Sequence, residues 1–147
     1  MKNEPVIIGR LYNSPVKTVW EAITDLNKMR QWYFPTLIEF EPEVGFGTKF
    51  DVESGGKIYP HIWKVAEVVP GKKISYEWKF GGYPGNSLVS FELFDEDGNT
   101  RVVLTHEGLE TFRGDLHSDL AMHNFVEGWT YFIGKALKEY VEQQNED

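Results

Sequence analysis

From Ser118 to about Gln144 the sequence places Phe125, Trp129, Phe132, Ile133, Ala136, Leu137 and Tyr140 at i, i+4, i+7, i+8, i+11, i+12 and i+15, the spacing of one broad apolar face on an α-helix. A face of that width must be covered, so the rest of the chain has to supply an apolar surface to receive it. The opposite side carries Glu127, Thr130, Lys138, Glu139 and Glu142, which water accepts. Ser118 stands where a side chain can cap the first turn, and Asp119 where a negative charge complements the positive end of the helix dipole. Gly128 and Gly134 each cost about 1 kcal/mol against alanine in a helix interior. Two explanations fit them: close approach of a sheet backbone or a ligand beside Trp129, or slack that the fold tolerates.

The covering surface is legible upstream. Pro5 to Tyr12, with Val6-Ile7-Ile8 and Leu11, predicts a first strand. Asn13-Ser14-Pro15 stops it, with Ser14 as an N-cap and Pro15 as the first residue of a helix that runs through Val16, Val19, Trp20 and Ile23. Leu26 to Trp32 predicts a second short helix, ended by Phe34-Pro35 because the residue before proline disfavours α geometry. Strands are then expected at Leu37–Glu41, Thr48–Val52, Ile58–Val69, Lys73–Phe80, Leu88–Asp95 and Arg101–Glu107, separated by glycine- and proline-bearing turns. Ile74, Tyr76, Trp78 and Phe80 alternate with Ser75, Glu77 and Lys79, giving one buried and one wet face. Ile58 to Val69 is apolar in both phases, which points to a bulge. Helices gathered at the two ends of a continuous antiparallel meander define an α+β chain, with a strongly curved sheet gripping the terminal helix.

Bulk properties remove several classes of function. A net charge of −8 with a pI near 5.0 argues against nucleic acid or an anionic membrane as the main partner. With no cysteine, disulfides, thiol catalysis and cysteine-based zinc sites are excluded. No apolar run approaches the ~20 residues of a membrane span, and Met1 to Arg10 lacks a signal-peptide core, so a cytoplasmic protein is expected. The aromatic share, 15%, is high. Aromatic side chains line both cores and small-molecule cavities.

Ser14-Pro15 followed by Val19 to Asp25, then Trp32 with Pro35, resembles the opening of START-like (SRPBCC) domains of the activator of heat-shock protein 90 ATPase type. Gly45 to Phe50, Val65 with Glu67 and Pro70, Tyr76 with Trp78, Thr100 to His106 with Gly108, and Gly128-Trp129 are similar to later signatures of that family, in the same order. The resemblance spans nearly the whole chain. It implies one START-like domain over residues 1–147 with a helix-grip fold and a cavity between the long helix and the sheet. The N-terminal chaperone-binding module of the eukaryotic co-chaperone has no counterpart in this sequence, so a chaperone partner is a weaker expectation than a small molecule.

The cavity-lining candidates are Trp32, Phe34, Tyr76, Trp78, Phe91, His106, Phe125, Trp129, Phe132 and Ile133. Strand phase turns His106 inward with Val102 and Leu104, where it serves either as a ligand-orienting or proton-transferring group or as a core histidine bonded to a backbone carbonyl. His61 is isolated, and His117 and His123 lie six residues apart on different helix faces, so no metal ligand set is expected. No phosphate cradle, dinucleotide fingerprint or nucleophile elbow occurs, and no cofactor is expected. Glu39, Glu41 and Glu43 alternate at strand period and read as a solvated edge. The expected function is binding of a hydrophobic, aromatic or lipid-like molecule without catalysis. A chaperone-linked, stress-related role and a polyketide cyclase or aromatase activity through His106 or Tyr76 are the alternatives, and a homodimer through sheet or helix edges is left open.

Overall fold

The computed structural model describes residues 4–144; the outermost residues of the expected 1–147 span lie outside the described residues. Strand β1 is Val6–Tyr12, helices α1 and α2 are Val16–Thr24 and Leu26–Trp32, and strands β2 to β6 are Gly47–Ser54, Lys57–Val69, Lys73–Phe80, Ser87–Glu96 and Asn99–Glu107. The strands form one antiparallel sheet in the order β1-β6-β5-β4-β3-β2. Short 3-10 turns at Leu109–Phe112 and Ser118–Leu120 lead into the terminal helix, made of α3 (Met122–Tyr131), a π-helical turn (Phe132–Ala136) and α4 (Leu137–Gln143). No helix among the described residues is long and apolar enough to cross a membrane.

The alternation read from β4 holds, with Ile74, Tyr76, Trp78 and Phe80 all buried. Thr100, Val102, Leu104 and His106 of β6 share that inner face, as do Val89, Phe91 and Leu93 of β5. The two apolar phases of β3 are reconciled by a bulge between Val65 and Glu67. Before it, His61, Trp63 and Val65 point inward; after it, Val68 pairs with inward-facing Ile74, so one extra residue flips the phase and keeps both runs apolar inside.

Three local expectations are corrected. Leu37–Glu41 is not a strand: Leu37 and Phe40 are buried three residues apart, which fits a wrap over the core, while Glu39, Glu41 and Glu43 are solvated in an irregular segment. Helix α1 starts at Val16 with Pro15 as its cap residue, one position later than expected, and the Ser14 hydroxyl donates to the Val141 carbonyl (3.4 Å), tying the start of α1 to α4. Nor does the terminal helix start at Ser118. Ala121, extended at φ −69° and ψ 153°, separates the 3-10 turn from α3, because the Ser118 and Asp119 carbonyls are taken by the Asn124 side-chain amide at 3.0 and 3.1 Å.

The π turn widens the helix opposite β1. There the Tyr12 hydroxyl donates to the Ile133 carbonyl at 2.6 Å, an outside donor for the altered ladder. Gly134 faces the Arg10 guanidinium 3.5 Å from where a Cβ would stand, and Gly128 has nothing within 4 Å, so no sheet backbone approaches either glycine closely. Gly85 is different. At φ +95° its Cβ would lie 2.3 Å from the Thr111 carbonyl oxygen, and Thr111 Oγ1 bonds Asn86 N and O, so glycine fastens the β4–β5 loop onto the first 3-10 turn.

Candidate functional site

The space between the terminal helix and the inner face of the sheet is filled by interlocked aromatic rings. Trp32 donates Nε1–H to the Ala22 carbonyl (2.7 Å) and stacks on Tyr33 at 4.3 Å, which fixes the end of α2 against the core. Tyr33 and Tyr76, both buried, share a hydrogen bond of 2.6 Å between their hydroxyls. Burial pushes both phenols above their ordinary range. Phe91 meets Trp129 edge-on at 6.0 Å, and Phe132 meets Trp32, Tyr33, Phe34 and Trp129. Ile133 is fully buried below them. The structure therefore brings all ten candidates to one side of the sheet.

His106 anchors a directional chain of hydrogen bonds. An indole N–H can only donate, so Trp129 Nε1 gives its proton to His106 Nδ1 (2.9 Å) and the neutral imidazole must carry its own proton on Nε2. That proton goes to Ser87 Oγ (2.8 Å), whose hydroxyl in turn donates to the Trp78 carbonyl (2.7 Å). Every donor and acceptor is used. His106 is wholly inaccessible to solvent, and burial lowers its pKa to about 3, so it is neutral at pH 7. Its partners are two side chains, Ser87 and Trp129; a backbone carbonyl is reached only through Ser87. With both nitrogens committed, His106 holds α3 to β5 and β6 and has no proton free to exchange with a ligand in this arrangement.

The open part of the site lies at the mouth, where the chain entering α3 crosses the ends of β2, β3 and β4. A cleft of about 420 Å³ is walled there by Val52, Phe80, Leu120 and Phe125. His61 and Trp78 also line it, and Tyr59 and Asp119 stand across its entrance. Trp78 and Phe125 are thus the two candidates that reach the cleft; the other eight pack behind them. His61 Nδ1 lies 2.9 Å from the Tyr59 carbonyl, so that nitrogen is the protonated one and Nε2 keeps a lone pair. Burial lowers the His61 pKa to about 4, against weaker opposing effects of the Tyr59 carbonyl and Asp51. The Asp119 carboxylate accepts from the Tyr59 hydroxyl (2.7 Å) and from Lys57 Nζ (3.1 Å), and the Tyr59 bond leads in holding its pKa below the usual carboxylate range. Lys57 Nζ also lies 5.5 and 5.4 Å from the Tyr59 and Tyr83 ring centroids. This cluster latches the Ser118–Leu120 turn onto β3.

Tyr33, Tyr59, His61 and Asp119 are site residues that sequence reading missed. For His61 the signal was present, since it stands two positions before Trp63 on one strand phase, but the bulge at Val65 hid which phase faced inward. Asp119 was assigned to a helix dipole, and only the break at Ala121 frees it for β3. Among the described residues no three His, Asp or Glu side chains converge as a metal site requires.

A six-stranded antiparallel sheet gripping a C-terminal helix, with two short helices after the first strand, defines the helix-grip fold of START-like proteins. Residues 13–142 match the sequence profile of the family described as Activator of Hsp90 ATPase homolog 1-like protein, and the chain belongs to that family. Solved structures agree on the fold. Protein CV1439 from Chromobacterium violaceum is 21% identical, with a TM-score of 0.79 over 97% of this chain and 99% of that one. DynU16, from the dynemicin biosynthetic locus, is 23% identical with a TM-score of 0.77, and here 97% of this chain matches 49% of that one. CalU16 from Micromonospora echinospora is 20% identical with a TM-score of 0.65, covering 95% and 82%. No curated protein matches the chain by sequence.

Proposed function

We propose that this chain binds a small hydrophobic molecule, aromatic or lipid-like, between its terminal helix and its sheet, without catalysing a reaction on it. The observation that carries this reading is the cleft at the mouth of the grip. Its apolar walls lead from solvent to a bed of aromatic rings, with one neutral histidine acceptor, His61 Nε2, beside them. The residues best suited to acid–base work are otherwise engaged: His106 by Trp129 and Ser87, Tyr76 by Tyr33. Titration of the protein with lipids, flavonoids and other ring compounds is expected to raise the melting temperature for a subset. The same compounds should move the NMR signals of His61, Trp78 and Phe125. If no compound moves them, the binding reading fails.

Membership of a family named for an ATPase activator supports a second reading, a chaperone-linked role through the outer surface. On that reading the protein should stimulate the ATPase of a heat-shock protein 90 homologue from its own cell. An unchanged rate at excess protein removes it.

A further inference from the structure

Three buried side-chain atoms among the described residues lack a hydrogen-bond partner: Thr48 Oγ1, Trp63 Nε1 and Trp78 Nε1. They are not scattered. Thr48 pairs with Trp63 across β2 and β3, and Trp63 pairs with Trp78 across β3 and β4, so the three side chains form one transverse row on the inner face of the sheet. Elsewhere in this core polar groups are matched with care, as the chain through His106 and the paired hydroxyls of Tyr33 and Tyr76 show. Unpaired buried donors are rare in folded proteins and point to a partner from outside the chain.

What packs against the two tryptophans of the row is Phe34. Its ring centroid is 5.9 Å from Trp63 and from Trp78, 5.4 Å from Phe50 and 5.3 Å from His61, with Phe132 of the π turn 5.4 Å away from it. A phenyl ring packed against the two indoles offers their N–H groups no lone pair. Phe34 belongs to no helix or strand; it sits on the connection after α2, just before Pro35, so it can leave without breaking a ladder. His61 and Trp78 lie under Phe34 and also line the cleft, so vacating the Phe34 seat extends the cleft inward to Trp63.

We propose that Phe34 occupies the seat of the ligand's ring in the free protein, and that the ligand displacing it is an uncharged ring compound whose carbonyl-type oxygen accepts from Trp63 and Trp78. This inference rests on the binding reading above and names the chemistry that the site selects. Two indole donors require an acceptor. The acceptor is uncharged because the buried polar residues among the described ones are serines, threonines and two histidines held neutral by burial, with no Lys or Arg to balance an anion.

Three probes of one shape separate the possibilities: 2-acetylnaphthalene (a ketone), 2-ethylnaphthalene (no acceptor) and 2-naphthoate (an anion). They are titrated into the wild-type protein and Phe34→Ala, following the indole N–H signals assigned with Trp63→Phe and Trp78→Phe. In Phe34→Ala the ketone should bind about tenfold more tightly than to wild type, and about tenfold more tightly than the hydrocarbon, with naphthoate weakest. The Trp63 and Trp78 indole signals should move downfield with the ketone alone, and Trp63→Phe should reduce its preference over the hydrocarbon. Should Phe34→Ala fail to fold, Phe34→Leu carries the same comparison. Equal affinity for ketone and hydrocarbon with unmoved indole signals overturns the inference and leaves hydrophobic binding standing, as does tighter binding of naphthoate. If no probe binds either protein, both readings fall.

Discussion

Trp129→Ala is expected to lose about 3–5 kcal/mol of unfolding free energy in urea, the full range for emptying a large aromatic core site. Trp129 is 3% exposed and enclosed by Tyr33, Trp78, Phe91, His106 and Phe132, so its removal leaves a hole that those rings cannot close. The loss has a second source. Without the indole N–H, His106 Nδ1 becomes a buried acceptor with no donor. Trp129→Phe isolates that part: it keeps most of the packing and should cost about 1–3 kcal/mol. A loss well below this range for the alanine variant would mean that Trp129 borders open space, which contradicts its packing.

Acid should destabilise the protein early, starting below pH 6.5. His106 and His61 have folded-state pKa values lowered to about 3 and about 4 from the ordinary 6.5. The folded protein therefore binds fewer protons than the unfolded chain, and the contribution is complete above pH 6.5 and is lost as pH falls toward 4 and 3. Between pH 7 and 4.5 each histidine accounts for about 2–3 kcal/mol of lost stability, which urea titrations across that interval will register. Asp119, held below the usual carboxylate range first by the Tyr59 hydroxyl, keeps its charge across that interval. His106→Asn separates the effects, because its side-chain carbonyl still accepts from Trp129 but does not titrate. That variant should be less stable at pH 7 and show a shallower fall. An unchanged slope would mean that His106 is protonated without penalty.

Periodicity alone carried most of the architecture. The apolar spacing from Phe125 to Tyr140 demanded a cover, and the period-two pattern of Ile74 to Phe80 supplied one, so grip and helix were both readable. Helix α2 was legible to the residue, since Asp25 caps it through Lys28 N at 3.1 Å and Pro35 limits it. Strand phase also placed His106 inside correctly. Failures arose where a local signal had a stronger distant competitor. Helix α1 begins one residue later than its composition suggests, with Pro15 as the cap residue, while the Ser14 hydroxyl reaches the Val141 carbonyl 127 residues away. Leu37–Glu41 alternates like a strand, but the sheet gains no partner there and the segment covers the core instead.

The sequence by itself determined which residues are apolar, at what period, and hence that a curved antiparallel sheet must hold the last helix, because local propensity and hydrophobic patterning act within a few residues. Only the tertiary structure decided who meets whom across the grip: that the Trp129 indole N–H bonds His106, that Asp119 leaves the helix for Tyr59 and Lys57, and that Phe34 packs on Trp63 and Trp78. These are contacts between segments tens of residues apart, fixed by strand register, by one bulge in β3 and by one break before α3. A single residue inserted or omitted at either place turns a side chain to the other face.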